Sequence, residues 1–407
     1  MPFVHRSPRR VRDCLALLSH LTAIGLLSFL SARLASNLRF LRSVRYVAGP
    51  PIREWPRVSV LVPARNEVKT ISQCVTSLLH QHYPDMELLV LDDGSSDGTG
   101  QVLDALTHEY PRLTVIHADG ALPAGWNGKS YACHRLAALA TGDWLLFTDA
   151  DTIHSPESLR RGVAQAISLD VALLSAFPYQ RTLTWSERII VSFIMDFLPL
   201  ITLDLRAVWR GSSRRILANG QYLLVHARSY RAAGGHGAIA SALIDDFALA
   251  RRFRAAGYRI ALVDGTSLLE CRMYRAFREV WEGYSKNLLG ALSLSGTRTS
   301  RAASPLRGRL AMLAGASLFA WCYASLFVVP FYALLCDRLK RLKLLAGIEI
   351  GWMLLMRALV GWRIRRSPAE MLTTPLAAWG VMALSMGALY RRWRKRPVVW
   401  KGRIYAR

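Results

Sequence analysis

The sequence is short of acid, of paired cysteines and of the polarity a soluble enzyme carries. Aspartate and glutamate total 28 against 53 lysines and arginines, and the resulting charge of +25 comes almost entirely from arginine. Charged residues make up 20% and hydrophobic ones 52%, with a mean hydropathy of +0.19. The six cysteines show no CxxC pair and no metal-ligand spacing, and two lie in or beside an apolar segment. A reduced compartment with structural thiols fits that usage. No internal repeat, low-complexity tract or G-x-G-x-x-G fingerprint is visible. The basic excess lacks a recognisable nucleic-acid reader fold, so nucleic acid is not an expected partner. Arginines gather instead beside apolar runs, at residues 6–12, 363–366 and 391–396, as they do against anionic lipid.

What is present begins with an apolar run at residues 15–35, close to the roughly 20 residues needed to span a bilayer. A basic segment precedes it, as in a signal peptide, but the run is long for one and nothing downstream looks secreted. Strands at 58–62, 87–91, 113–116 and 143–147 then alternate with helices at 68–81, 98–108 and 127–140, which implies a mostly parallel α/β sheet. In such sheets ligands bind outside the carboxyl ends of the strands. Residues 185–205 and 274–294 look like amphipathic, interfacial helices. Three candidate spans follow at 310–335, 344–362 and 372–390, the middle one made atypical by Glu349 and Arg357. The expected organisation is a membrane anchor at 1–45, a catalytic domain at 46–300, and a membrane region with a basic tail at 301–407.

Three acidic clusters carry the chemistry. P-A-R-N-E at residues 63–67 is followed by D-D-G-S-S-D-G-T at 92–99, directly after a strand. A carboxylate there can accept from a base or ribose while glycine lets the backbone approach. A plain Asp/Gly turn would also explain it. A calcium hand would need a helix where the leucine-rich strand stands. Asp149-Ala150-Asp151 follows the strand 143–147, and two such carboxylates can share a hard divalent cation facing a diphosphate. A surface turn is the competing explanation. Lys129 opens a helix, against the macrodipole, so it is either a phosphate ligand or a solvated side chain. Asp245 and Asp246 precede a helix, where a carboxylate is either a cap or a general base for an acceptor hydroxyl.

Taken in order, these motifs resemble the family 2 glycosyltransferases of the GT-A fold, over about residues 57–289. That resemblance implies an α/β, mostly parallel nucleotide-diphospho-sugar transferase sheet with helices on both faces, flanked here by N- and C-terminal transmembrane helices. It implies a hexosyltransferase acting with inversion from a nucleotide-sugar, with uridine diphosphate as the expected nucleotide. It places Pro63, Asn66, Glu67, Asp92, Asp93, Lys129 and Asp149 on the donor side and a divalent metal, Mg or Mn, on Asp151. Asp246 becomes the catalytic base, with Gly220, Gln221, Asp245, Arg278 and Trp281 on the acceptor side. The family's Glu-Asp pair is Asp245-Asp246 here.

Processive synthases carry Q-x-x-R-W about thirty residues past the base, and residues 274–281 lack it. The stretches at 122–129, 281–287 and 400–405 are similar to membrane glycosyltransferases that act on polyisoprenoid-derived lipids, including carotenoid- and hopanoid-associated ones. A lipid acceptor in the membrane is therefore expected. The alternatives are a synthase-like enzyme with a glycan acceptor and a non-catalytic membrane protein that keeps the fold. The resemblance also implies an integral protein of a bacterial-type cell membrane with its catalytic domain facing the cytoplasm. One amino-terminal and three carboxyl-terminal spans would then leave both basic ends outside, against the positive-inside rule. Were the middle span at 344–362 not real, the basic tail would return to the cytoplasm and residues 400–405 could approach the active site. The sequence does not specify an oligomeric state.

Overall fold

The computed structural model describes residues 8–43, 52–119, 121–210, 216–296, 317–335, 342–394, 398–401 and 403–405. The chain divides into two compact units. Residues 37–187, 204–291 and 387–407 form the catalytic unit; residues 1–36, 188–203 and 292–386 form a helical one. The boundaries fall at 36/37 and 291/292 rather than at 45 and 300, and two segments group otherwise than in a linear division. Residues 188–203 join the helical unit, and the basic tail joins the catalytic unit.

The catalytic unit is built on β1 (Val58–Ala64), β2 (Met86–Asp93), β3 (Leu113–Ala118), β4 (Trp144–Phe147), β5 (Thr152–His154), β6 (Leu173–Phe177), β7 (Tyr179–Gln180), β8 (Leu223–His226), β9 (Ile260–Asp264) and β10 (Leu269–Cys271). Seven form one sheet in the order β3-β2-β1-β4-β8-β6-β9; β5, β10 and β7 form a small second one. Every pairing in the large sheet is parallel except those of β8, which runs antiparallel to β4 and β6. Val58, Val60, Leu61 and Val62 are fully buried, as a strand covered on both faces requires. β1 runs on through Pro63 because β4 flanks it only as far as Leu61, so no ladder partner asks for the missing N–H on that side. Helix Ile71–Leu79 buries Ile71, Cys74, Val75 and Leu78, one face at helical spacing.

Register then decides what meets at the sheet edge. Ala64 pairs with Asp92 and Leu61 with Phe147, so the segments after β1, β2 and β4 emerge together. Because β8 is reversed, its start lies at that same edge, with Leu223 opposite Phe147. Residues 219–221 are thereby carried beside the Asp149–Asp151 turn.

The helical unit contains three helices long and apolar enough to cross a membrane among the described residues: Arg12–Leu41, Ser317–Leu335 and Lys343–Arg363. Leu17, Phe29, Leu318, Leu355 and Trp362 are among its large apolar side chains left exposed, a surface suited to lipid. The expected span at 344–362 is thus retained, and its charges are satisfied internally. Glu349 accepts from His20 Nδ1 at 2.9 and 3.0 Å, and Arg357 donates to the Ser192 carbonyl and hydroxyl at 3.0 and 2.6 Å. The expected span at 372–390 corresponds to helix Thr374–Trp393, which is not among the three. Residues 310–316 of the remaining expected span lie outside the described residues. The single amphipathic helix expected at 185–205 is instead three pieces, a wide π-wound Glu187–Phe197, then Leu198–Thr202 and Leu205–Trp209. Two of its acids are paired with arginines. Asp196 is held by Arg366 at 2.8 Å, and in the catalytic unit Glu187 is held by Arg272 at 3.1 Å.

Candidate active site

The turn after β2 is folded by its own side chains. Asp92 Oδ1 accepts from the Ser95 amide at 3.1 Å and from its hydroxyl at 2.5 Å. Asn66, in the left-handed region at φ 53°, accepts from the Ser96 amide at 2.9 Å, and its own amide donates to Ser95. Asparagine is among the few residues that adopt that backbone readily. The Glu67 amide donates to Thr99 Oγ1 at 2.8 Å. Asp92 and Asn66, both expected to touch donor, thus spend their side chains on the loop. Adjacent residues of a strand point to opposite sides, so Asp93 is free to take a different role. Arg403 grips it through both guanidinium ends, one at 2.9 Å, and Arg65 donates to the Asp93 carbonyl.

The Asp149–Asp151 turn rests on a buried polar network. Thr148 Oγ1 donates to the Gln221 carbonyl at 2.8 Å and lies 2.9 Å from both Thr152 Oγ1 and His154 Nε2. Thr152 Oγ1 in turn donates to the Asp149 carbonyl at 2.7 Å. Burial pushes His154 down to about 3, so it stays neutral as a fixed partner. Asp151 Oδ1 is buried with no hydrogen-bond partner. Burial first, then Asp149 and Glu67, raise Asp151 to about 7. An acidic pocket with an unsatisfied oxygen is what a hard cation would relieve. No group of three or more His, Cys, Asp or Glu forms a cage among the described residues. That donor set fits Mg or Mn, which take one or two protein carboxylates and complete their shell with phosphate and water.

Lys129 joins this turn to the last cluster. Helix Gly128–Leu139 is capped by Asn127, whose side chain accepts from the Lys129 amide at 3.1 Å and donates to the Ala242 carbonyl at 2.9 Å. The Lys129 ammonium lies 2.5 Å from Asp149 Oδ1 and 3.6 Å from Asp245 Oδ2. These two carboxylates, rather than solvent, offset its unfavourable place at a helix start. Burial opposes the charged form, but Asp149 and Asp245 outweigh it and hold Lys129 well above its usual value. Asp245 is likewise kept anionic: burial raises it, while Lys129, His236 and Lys286 pull it below the usual carboxylate range.

Asp246 has both oxygens engaged by backbone amides, from Gly220 at 2.8 Å and from Phe247 at 2.8 Å. Burial and then the neighbouring Asp245 charge raise it to about 7. A cleft lined by Pro63, Lys129, Asp149, Gly220, His236, Asp245 and Asp246 opens here. The fold thus gathers the D-x-D turn, the lysine and the acidic pair. A Cβ at Gly220 would sit 3.2 Å from Lys129 Nζ and 3.5 Å from Asp246 Oδ2, so glycine keeps that contact close.

Three expected acceptor-side residues are placed otherwise. Gln221 is buried, hydrogen-bonded to Gln180 at 2.9 Å and to Cys271 Sγ at 2.8 Å, because the strand start turns it under the sheet edge. Arg278 is 87% exposed and pairs with Glu282 one turn on. Trp281 packs against Gly387, where an added Cβ would lie 3.1 Å from its ring. Conversely, Arg65, His236, Lys286, Lys401 and Arg403 belong to the site or its electrostatics without having been singled out for it. Only the 400–405 stretch, similar to other membrane enzymes, hinted at the last two.

Residues 59–224 match the family model described as Glycosyl transferase family 2. The chain therefore carries a family 2 glycosyltransferase domain. Asp245 and Asp246 lie beyond the matched residues. Over 272 residues the chain is 28% identical to a 4,4'-diaponeurosporenoate glycosyltransferase of Staphylococcus haemolyticus, covering 66% of this chain and 70% of that protein. It is 26% identical over 234 residues to the protein of the same name from Staphylococcus aureus strain USA300, covering 57% of this chain and 60% of that one. The chain thus spans less than two thirds of the S. aureus relative's length. The described fold is similar to a mannosyltransferase from Pyrobaculum calidifontis solved with GDP-Man and Mn2+, at a TM-score of 0.53 and 18% identity, over 93% of this chain and 99% of that one. The expected GT-A class of fold therefore holds.

Proposed function

We propose that this family 2 domain transfers a sugar from a nucleoside-diphosphate donor to a lipid acceptor of carotenoid type, with inversion. The observation that carries this reading is Lys129, which ties the D-x-D carboxylate Asp149 to Asp245 beside the candidate base Asp246. One cleft then holds the first D-x-D carboxylate, Asp149, a cation for phosphate and a carboxylate poised near neutral pH. In the single displacement the acceptor oxygen attacks the anomeric carbon, and the bond to the diphosphate breaks with its electron pair. Asp246 takes the proton of a hydroxyl acceptor. A carboxylate acceptor, such as the diaponeurosporenoate named for the staphylococcal relatives, needs orientation only. Asp151, with Asp149 beside it, would hold the divalent ion. When bound, such an ion neutralises charge on the leaving diphosphate. Lys129 adds fixed positive charge to the same end.

The lipid acceptor is supported by the apolar helices and by the relatives' name. Each buried CH₂ contributes about 0.8 kcal/mol, so a long apolar acceptor stays in the bilayer and the enzyme must meet it there. The same reading makes the protein integral to a cell membrane, its catalytic unit on the cytoplasmic side where nucleotide-sugars are made, with uridine diphosphate as the nucleotide.

The test is incubation of membranes carrying the full chain with a panel of labelled nucleotide-sugars, followed by lipid extraction. Label should enter the lipid fraction. Asp246→Asn should abolish transfer to a hydroxyl acceptor while nucleotide affinity persists; full activity in that variant would remove Asp246 as base. Label found only in water-soluble glycan would overturn the lipid acceptor.

A further inference from the structure

Near its end the chain forms a hairpin, β11 (Val398–Trp400) and β12 (Arg403–Tyr405), paired antiparallel across Lys401. Lys401 adopts the left-handed φ of 46° that such a turn requires. The hairpin belongs to the catalytic unit, and it docks on three elements at once. On the segment after β1, the Lys401 ammonium binds the Glu67 carboxylate, and its carbonyl accepts from Arg65 Nε at 3.2 Å. At the end of β2, Arg403 binds Asp93 through both oxygens. At the start of the Lys129 helix, the same guanidinium lies on Gly128, where a Cβ would overlap it. The Arg403 side chain is only 10% exposed, so this is a seated contact rather than a surface pair.

Electrostatics say what the contact is for. Glu67, Asp93, Asp149, Asp151, Asp245 and Asp246 crowd one sheet edge, and a diphosphate brought there meets mostly negative charge. Lys401 and Arg403 add two cations from a segment more than 300 positions away in sequence. Lys401 acts as far as Asp151, whose carboxylate it favours in the charged form. A planar guanidinium and a compact ammonium are the two side chains suited to phosphate oxygens.

We infer that the carboxyl-terminal hairpin is the third wall of the donor site, and that Lys401 and Arg403 bind the diphosphate of the nucleotide donor. This rests on the donor class proposed above. Between turnovers Glu67 and Asp93 hold the two cations in place; with donor bound, the cations are shared with the phosphate oxygens. Lys401→Met and Arg403→Met test it in the full chain, purified in detergent with Mn2+. Uridine diphosphate and uridine are each titrated as competitors of a labelled donor. Either variant should weaken uridine diphosphate about tenfold or more while leaving uridine nearly unchanged, and Arg403→Lys should recover part of the loss.

Equal weakening of both competitors would mean that the hairpin only holds Asp93 and Glu67 for the nucleoside, and would overturn the inference. So would unchanged affinity. Tighter binding with faster transfer would overturn it too, making the hairpin a plug that donor must displace. A wild-type chain that binds no nucleoside diphosphate would instead overturn the donor class on which the inference rests.

Discussion

Asp245→Asn probes the acidic pair at the head of helix Asp245–Ala255. Asp246 stands at about 7, raised by burial and then by Asp245. Asp245 itself stays anionic across the working range, held down by Lys129, His236 and Lys286 against the effect of burial. A base acts only when deprotonated, so the transfer rate climbs as pH rises through the Asp246 value and fades below it. Removing the Asp245 charge deletes one of the two causes of the rise and leaves burial. Two unit charges 4 Å apart at an effective dielectric of about 20 interact by about 4 kcal/mol, an upper bound. Lys129, 3.6 Å from Asp245, already offsets much of that field. A third of the bound, about 1.4 kcal/mol, corresponds to about one pKa unit. The acidic limb of the rate profile should therefore move from about 7 to about 6. Initial rates of label transfer to a hydroxyl-bearing lipid acceptor, from about pH 5 to pH 9 in mixed micelles at fixed Mn2+, would show it. A limb that stays in place or moves upward would refute the reasoning and put the titrating group elsewhere.

Asp151→Asn removes the one site carboxylate with a buried unpartnered oxygen. The metal concentration giving half-maximal transfer should rise about tenfold or more, equivalent to about 1.4 kcal/mol, in a metal titration of the purified chain. Thr148→Val keeps the shape beneath the D-x-D turn but deletes the hydroxyl shared by Gln221, Thr152 and His154. Stability should fall by about 1–3 kcal/mol, read as a lower melting temperature.

The sheet was legible because its central strands are continuous apolar runs that end directly in acidic turns. The strands at 58–62, 87–91 and 143–147 fall within β1, β2 and β4 or within a residue of them. Periodicity could not foresee that β8 runs backwards, and that reversal is what delivers Gly220 to Asp246. It could not separate Asp92 from Asp93 either. The two are chemically identical neighbours, and only the loop they face makes one a structural acceptor and the other a ligand for Arg403. The ion pairs of the segment at 185–205 were hidden for a related reason. An apolar helix with scattered charges suggests a headgroup boundary, yet Asp196 and Glu187 have arginine partners far along the chain, Arg366 and Arg272. An approach of residues 400–405 to the site could be anticipated, but not the partners of Lys401 and Arg403: nothing local in a basic tail announces a carboxylate more than 300 positions away.

The hairpin also bears on the order in which the chain is made. Glu67 and Asp93 precede Lys401 and Arg403 by more than 300 positions, so both carboxylates lack these partners until the hairpin has been synthesised. This corner of the site is therefore completed only after the rest of the catalytic unit has been made.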